Sequence, residues 1–216
     1  MDTLEQRTIS KISWRLLPLL MVCYFIAYLD RVNIGFAGAS MSKDLGFTAA
    51  VFGSAAGIFF LSYFLCEVPS NLALEKFGAR KWIARIMFTW GILSAAQAWV
   101  GGATSFNVVR FLLGIAEAGF FPGVIFYITL WFPAAYRARA NALFMIAMPF
   151  TAGFSSVLSG LILGMEGIWG LKGWQWLFVL EGLPSVLMGF VVFYYLDDRP
   201  QQAKWLDREE QQVLAQ

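Results

Sequence analysis

Long apolar runs alternate with short polar stretches along the chain, and the alternation has the scale of a bilayer. The apolar runs fall at about 16–39, 49–72, 82–100, 108–131, 140–164 and 176–196. As a helix, the first of them would be about 36 Å long at ~1.5 Å per residue, against an apolar bilayer core about 30 Å thick. The pattern predicts an all-α membrane protein with six transmembrane helices within 16–196. A polar, amphipathic segment at 1–15 precedes them and a charged tail at 197–216 follows, with a short amphipathic helix expected from Trp205 onward. Residues 41–47, 74–81, 101–107, 133–139 and 165–175 read as the connecting loops.

Within the runs, Pro122, Pro149 and Pro184 are expected to kink their helices, which is tolerated where neighbours satisfy the freed carbonyls. Gly53 with Gly57, and Gly160 with Gly164, have the spacing that allows helices to approach closely. Trp14, Trp82, Trp99, Trp131, Trp174 and Trp176 lie near run ends and read as an interfacial belt.

Composition agrees with this pattern. Hydrophobic residues make up 59% of the chain and charged residues 14%, where ordinary soluble domains carry about 25% charged residues. The net charge of +2 offers no basic surface for a nucleic acid. Cys23 and Cys66 sit in apolar runs and read as small core residues. Histidine is absent, so proton chemistry near neutral pH falls to carboxylates in perturbed settings. The same absence removes the base that a serine-type intramembrane protease needs. No cluster with metal-ligand spacing is present, so neither an enzyme nor a bound metal or cofactor is expected. There is no arginine ladder or filter-like loop to suggest a channel. A membrane fragment without transport activity of its own is the remaining alternative.

The basic residues set the orientation. Arg7, Lys11, Arg15, Lys76, Arg80, Lys81, Arg85, Arg137, Arg139, Arg199, Lys204 and Arg208 fall on one side of a six-span arrangement, and Lys43 and Lys172 on the other. That asymmetry places both termini in the cytoplasm.

The chemistry is expected from charges inside the runs. Asp30 and Arg31 are the only charges between Leu16 and Ala39, and each costs at least ~2.5 kcal/mol at membrane depth. Neighbouring side chains on a helix diverge by about 100°, so the two are expected to find partners on different helices. In the fourth run Arg110 and Glu117 are two turns apart on one face, about 10 Å along the axis. If the six spans are two inverted three-helix repeats, the first and fourth are symmetry partners, and sites in such proteins lie near the midplane. An arginine in a dry cavity is a good receptor for a carboxylate because its fork matches two oxygens. A carboxyl group whose neighbours change can bind and release a proton. A static ion network remains open for these four residues. Glu67 is expected to pair with a loop arginine, and Glu181 to snorkel outward.

The stretch Asn71–Lys81 resembles the signature loop of the major facilitator superfamily: Glu75, Lys76, Gly78, Arg80 and Lys81 match, with Asn71 where the family has glycine. The resemblance implies half of a twelve-helix fold, with these residues as a conformational latch and a second six-helix half as partner. Residues 28–37, 67–71, 110–123 and 173–184 resemble the anion:cation symporter family. That resemblance implies proton-coupled symport of a small organic anion, such as a dicarboxylate, sugar acid or aromatic carboxylate, across a bacterial inner membrane. It further implies Arg31 as a contact for the anion, Tyr63 as its hydrogen-bond donor, and Asp30 and Glu117 as proton carriers. Arg110 is a further anion receptor on the physical reading above.

Overall fold

The computed structural model describes residues 3–214, in which every regular element is a helix. Helix α1 (Leu4–Leu45) begins at a capping box, with the Gln6 amide donating to Thr3 Oγ1 at 3.3 Å and the Thr3 amide to Gln6 Oε1 at 3.1 Å. It ends where Gly46 turns left-handed at φ 67°. The polar residues before Leu16 and those at 41–45, expected as a tail and a turn, are therefore part of the same rod. The reason is that polar helical turns can extend beyond the bilayer without ending the hydrogen-bond ladder.

Helices α2 (Ala49–Phe77) and α3 (Ala79–Ala96) meet at one residue, Gly78, so the expected loop at 74–81 is a corner. The fourth run divides into α4 (Ala103–Glu117) and α5 (Phe120–Trp131), and the fifth into α6 (Ala134–Met145) and α7 (Ala147–Leu163). The expected loops at 101–107 and 133–139 are largely helical. Helix α8 (Gly173–Tyr195) and the short α9 (Arg208–Leu214) complete the chain.

Five rods are long and apolar enough to cross a membrane: α1, α2, α4 with α5, α6 with α7, and α8. The sixth is α3, which carries Arg80, Lys81 and Arg85 in its first two turns and packs most extensively against α8. The pairing of the six has an exchange symmetry. The first rod packs on the fifth as the fourth packs on the second; the first packs on the sixth as the fourth packs on the third; the third and sixth pair with each other. That is the contact pattern of two inverted three-helix repeats.

The break between α4 and α5 shows how the sequence directs the bundle. Pro122 has no amide to offer the Ala118 carbonyl four residues back. That carbonyl accepts instead from Ser70 Oγ of α2 at 2.6 Å, and Ser70 in turn accepts from Trp82 Nε1 at 3.0 Å. Gly119 takes φ 85° at the break, where a side chain would run into Ser70.

Two expectations about packing are corrected. Gly53, Gly57 and Gly160 face open space, and Gly164 meets only its own helix. Close approach is made by other glycines, among them Gly114 of α4 against the Phe59 carbonyl of α2. Gly91 on α3 and Gly182 on α8 do the same, and an added Cβ on either would lie 2.7 Å from the facing backbone. The GxxxG spacing describes a flat strip on a helix, whereas contact depends on which strip the bundle turns inward. The tryptophan belt is also only partial. Trp14 and Trp99 are exposed, but Trp131, Trp174 and Trp176 are buried. Trp174 donates to Asp44 at 2.9 Å and Trp176 to the Ile168 carbonyl at 3.1 Å, so these indoles tie the start of α8 to the end of α1 and to the loop before α8.

The tail is fastened to the basic end of the bundle. Trp205 stacks on Trp131 with centroids 5.6 Å apart, Arg15 lies over Tyr195 and Trp205, and Lys11 pairs with Glu210 at 2.8 Å. Burial disfavours the Glu210 charge, but the hydrogen bond from Lys11, the Asp207 amide and the Lys11 charge outweigh it and hold the carboxyl below its ordinary value. A carboxyl depressed in the folded state stabilises above its unfolded value and loses that contribution as pH falls through the folded one. Amide exchange at 208–214, corrected for its intrinsic pH dependence, is therefore expected to rise as pH drops below about 4.3. Glu210→Gln is expected to remove the pH dependence.

Candidate functional site

The buried charges gather where α1 meets α3 and α4. Asp30 and Arg31 diverge as expected and find different helices. Asp30, 2% exposed, accepts from Trp90 Nε1 at 2.6 Å, from the Ser94 hydroxyl, and from Asn33 Nδ2 at 3.0 Å. Trp90 and Ser94 are one turn apart on α3 and so face α1 together. Arg31 reaches α4 and forms an ion pair with Glu117. Its side chain is 37% exposed while that of Glu117 is 3% exposed. The cation is open on one side, and its carboxylate is not.

Tyr63 of α2 presents its ring to the Arg31 guanidinium at 5.6 Å. Arg110 turns inward and is 5% exposed, with its guanidinium 4.6 Å from the Phe59 ring centroid and its Nε without a hydrogen-bond partner. The intrahelical Arg110–Glu117 pair left open by the sequence does not form, because Arg31 occupies Glu117. Arg31 is exposed. Two clefts lie elsewhere: one of about 600 Å³ between α1 and α6, lined by Trp14, Pro18 and Arg139, and one of about 340 Å³ between α3 and α8.

Two carboxylates depart from expectation. Glu181 does not snorkel: it is 3% exposed and accepts from Ser159 Oγ of α7 at 3.2 Å. The contact of Gly182 with α3 turns the neighbouring Glu181 into the bundle. Glu67 forms no ion pair among the described residues. The nearby arginines are engaged otherwise: Arg85 lies over the Trp82 ring at 4.1 Å, and Arg80 over Phe193 at 5.5 Å.

The signature residues sit at the corner between α2 and α3. The Arg80 amide donates to Asp198 Oδ1 at 2.8 Å, fixing this corner to the chain just beyond α8. Glu75, Lys76 and Lys81 are exposed. At Gly78, with φ 92°, an added Cβ would lie 2.7 Å from Asp198 Oδ1. Gly78→Ala is therefore expected to lower thermal stability in detergent by about 1–3 kcal/mol, the usual cost of a strained backbone position. An unchanged melting temperature would remove Asp198 from the corner.

Asn33, Trp90 and Ser94 were not singled out as site residues from sequence, and Glu181 was expected at the water boundary rather than in the interior. The four-residue spacing of Trp90 and Ser94 places them on one helical face, but an uncharged pair in an apolar run gives no sign that a carboxylate faces it.

The fold and this centre define a polytopic membrane protein of paired three-helix repeats with a charged interior. Residues 20–215 match the Major Facilitator Superfamily, and the chain belongs to it. Its relatives are transporters, not enzymes. A protein of Agrobacterium vitis named for tartrate transport is 56% identical over 213 residues, covering 99% of this chain and 47% of the relative. A Pseudomonas putida protein, NicT, named for metabolite transport, is 52% identical over 207 residues, covering 95% of this chain and 47% of its own. The crystal structure of a bacterial homologue of the human lysosomal transporter Spinster, inward-facing and occupied, superposes with a TM-score of 0.80 at 19% identity. It is covered over 46% of its chain, and this chain over 90%. The chain thus spans about half the length of the relatives it matches.

Proposed function

We propose that the chain forms the N-terminal half of a secondary transporter that carries a small organic anion together with a proton across the bacterial inner membrane, with both termini cytoplasmic. The observation that carries this reading is the Arg31–Glu117 ion pair, in which the arginine is partly open and the carboxylate is sealed. A substrate carboxylate arriving at the open face can take the guanidinium fork from Glu117. Glu117, left without its cation in a dry setting, then takes up a proton. Departure of the anion returns Arg31 to Glu117 and releases that proton. Competition for one arginine thereby links the two solutes.

In this reading Tyr63 hydrogen-bonds the anion, Asp30 is a second proton carrier, and Arg110 becomes an anion contact in another conformation. The corner formed by Glu75, Lys76, Gly78, Arg80 and Lys81 latches the cytoplasmic side. The opposite wall of the site belongs to a second six-helix half, so the chain alone is not expected to accumulate solute. The tartrate and metabolite names of the relatives favour a small dicarboxylate or related acid.

The test is tartrate uptake into proteoliposomes containing both halves, under an imposed pH gradient. Glu117→Gln should keep tartrate exchange at equal pH on both sides but lose accumulation driven by the gradient. Accumulation at the native level in that variant would refute the coupling.

A further inference from the structure

The buried centre is short of one positive charge. Asp30, Glu117 and Glu181 are 2%, 2% and 3% exposed, and they share the site with Arg31 and Arg110. Glu117 is neutralised by Arg31. Asp30 has three hydrogen-bond donors and lies within the field of Arg110. Glu181 has neither advantage. The one charge that bears on it is that of Asp30, and its packing neighbours on α3 and α7 are uncharged there.

The hydrogen bonding around Glu181 is also incomplete. Ser159 reaches Oε1, but Oε2 has no partner. Asn33 Oδ1 and Ser185 Oγ, both buried, are unpartnered as well. Asn33 stands between two carboxyl groups: its amide nitrogen donates to Asp30 at 3.0 Å, and the same side chain lies against Glu181. An ionised Glu181 would be a second anion beside Asp30, with no cation, one hydrogen bond from Ser159 at 3.2 Å, and Asn33 at longer reach already donating to Asp30. A protonated Glu181 is neutral and gains a donor among atoms that lack one.

We propose that Glu181 holds a proton in this state and, through Asn33, is a positioning residue for Asp30. Counted this way the centre is electroneutral, with Asp30 and Glu117 balanced by Arg31 and Arg110. The proton on Glu181 follows from burial and pairing, and does not depend on the transport reading. The setting of Asp30 for proton coupling does rest on that reading.

The two parts have separate tests. Infrared spectra of the described chain in lipid bilayers at neutral pH should contain the carbonyl band of a protonated carboxylic acid. Glu181→Gln should remove that band, and Glu75→Gln, at an exposed site, should leave it. A band untouched by Glu181→Gln would overturn the proposal, as would loss of an ionised carboxylate band instead. Glutamine has the size of the neutral acid, so Glu181→Gln should fold and melt as the native chain does. A variant that fails to fold would mean the charge is required, which is the opposite result.

For positioning, the readout is tartrate exchange and its pH profile in proteoliposomes with both halves. Glu181→Gln should stay near native, while Glu181→Leu should lower exchange about tenfold, the scale of one lost buried hydrogen bond, and displace the pH profile. Equal profiles in the native and leucine proteins would overturn the positioning role.

Discussion

Arg31→Ala is expected to abolish anion uptake and to destabilise the bundle by about 3 kcal/mol. Removing one partner of a buried ion pair costs about 3–5 kcal/mol because the other charge is left unpaired. Glu117 is that charge, 2% exposed and with no other ion-pair partner among the described residues. Arg31 is only partly buried, its side chain 37% exposed, and this places the expected cost at the lower end. The stability loss should be largely reversed in the double variant Arg31→Ala with Glu117→Gln, which removes the orphaned charge. Uptake should not recover, because in the proposed mechanism Arg31 is the receptor for the anion. Arg31→Lys should restore stability better than transport, since an ammonium lacks the two-pronged fork. Thermal melting in detergent and tartrate uptake with both halves present separate the two effects. Full uptake by Arg31→Ala would remove Arg31 from the substrate site.

Gly91→Leu is expected to prevent the half-bundle from folding, and Gly91→Ala to cost at least about 1–3 kcal/mol, the range for overfilling a packed interior. A Cβ at Gly91 would lie 2.7 Å from the Gly182 carbonyl oxygen and 2.7 Å from the Val186 nitrogen. Both are backbone atoms, so no rotamer change relieves the contact and α3 and α8 must separate. These helices form the most extensive pairing in the molecule. Within a bilayer, close backbone approach supplies much of the association energy that burial supplies in water. Gly182→Ala should behave alike, because its Cβ would lie 2.7 Å from the Ala95 nitrogen. Gly53→Ala is the contrast: it meets open space and should leave the chain at least as stable. Monodispersity and melting temperature in detergent read all four variants, and equal tolerance at Gly91 and Gly53 would contradict the described packing.

The first-helix charges show how far local sequence reaches. The divergence of Asp30 and Arg31 follows from helical geometry, and so does the need of each for a partner on another helix. Which partner each finds does not. Helical geometry offered Glu117 an intrahelical pair with Arg110 and named no partner on another helix for Arg31. Trp90 and Ser94 carried no charge to betray them.

The helical rods were set by the hydrophobic pattern, because a bilayer permits few other solutions for an apolar run of that length. Breaks at Gly78 and Gly119 were written as glycines, although the step from glycine to corner needs the neighbouring helix that fills the outer space. Membership of the superfamily was legible in the residues around Gly78. The inward facing of Glu181 was not, and neither was the choice of Gly91 and Gly182 over the GxxxG pairs as the contact strip. Periodicity gives the faces of a helix, but the rotation of each rod about its axis is chosen by the whole bundle. Here close backbone contact between α3 and α8 fixed that rotation, and it carried a carboxylate from the expected water boundary into the interior.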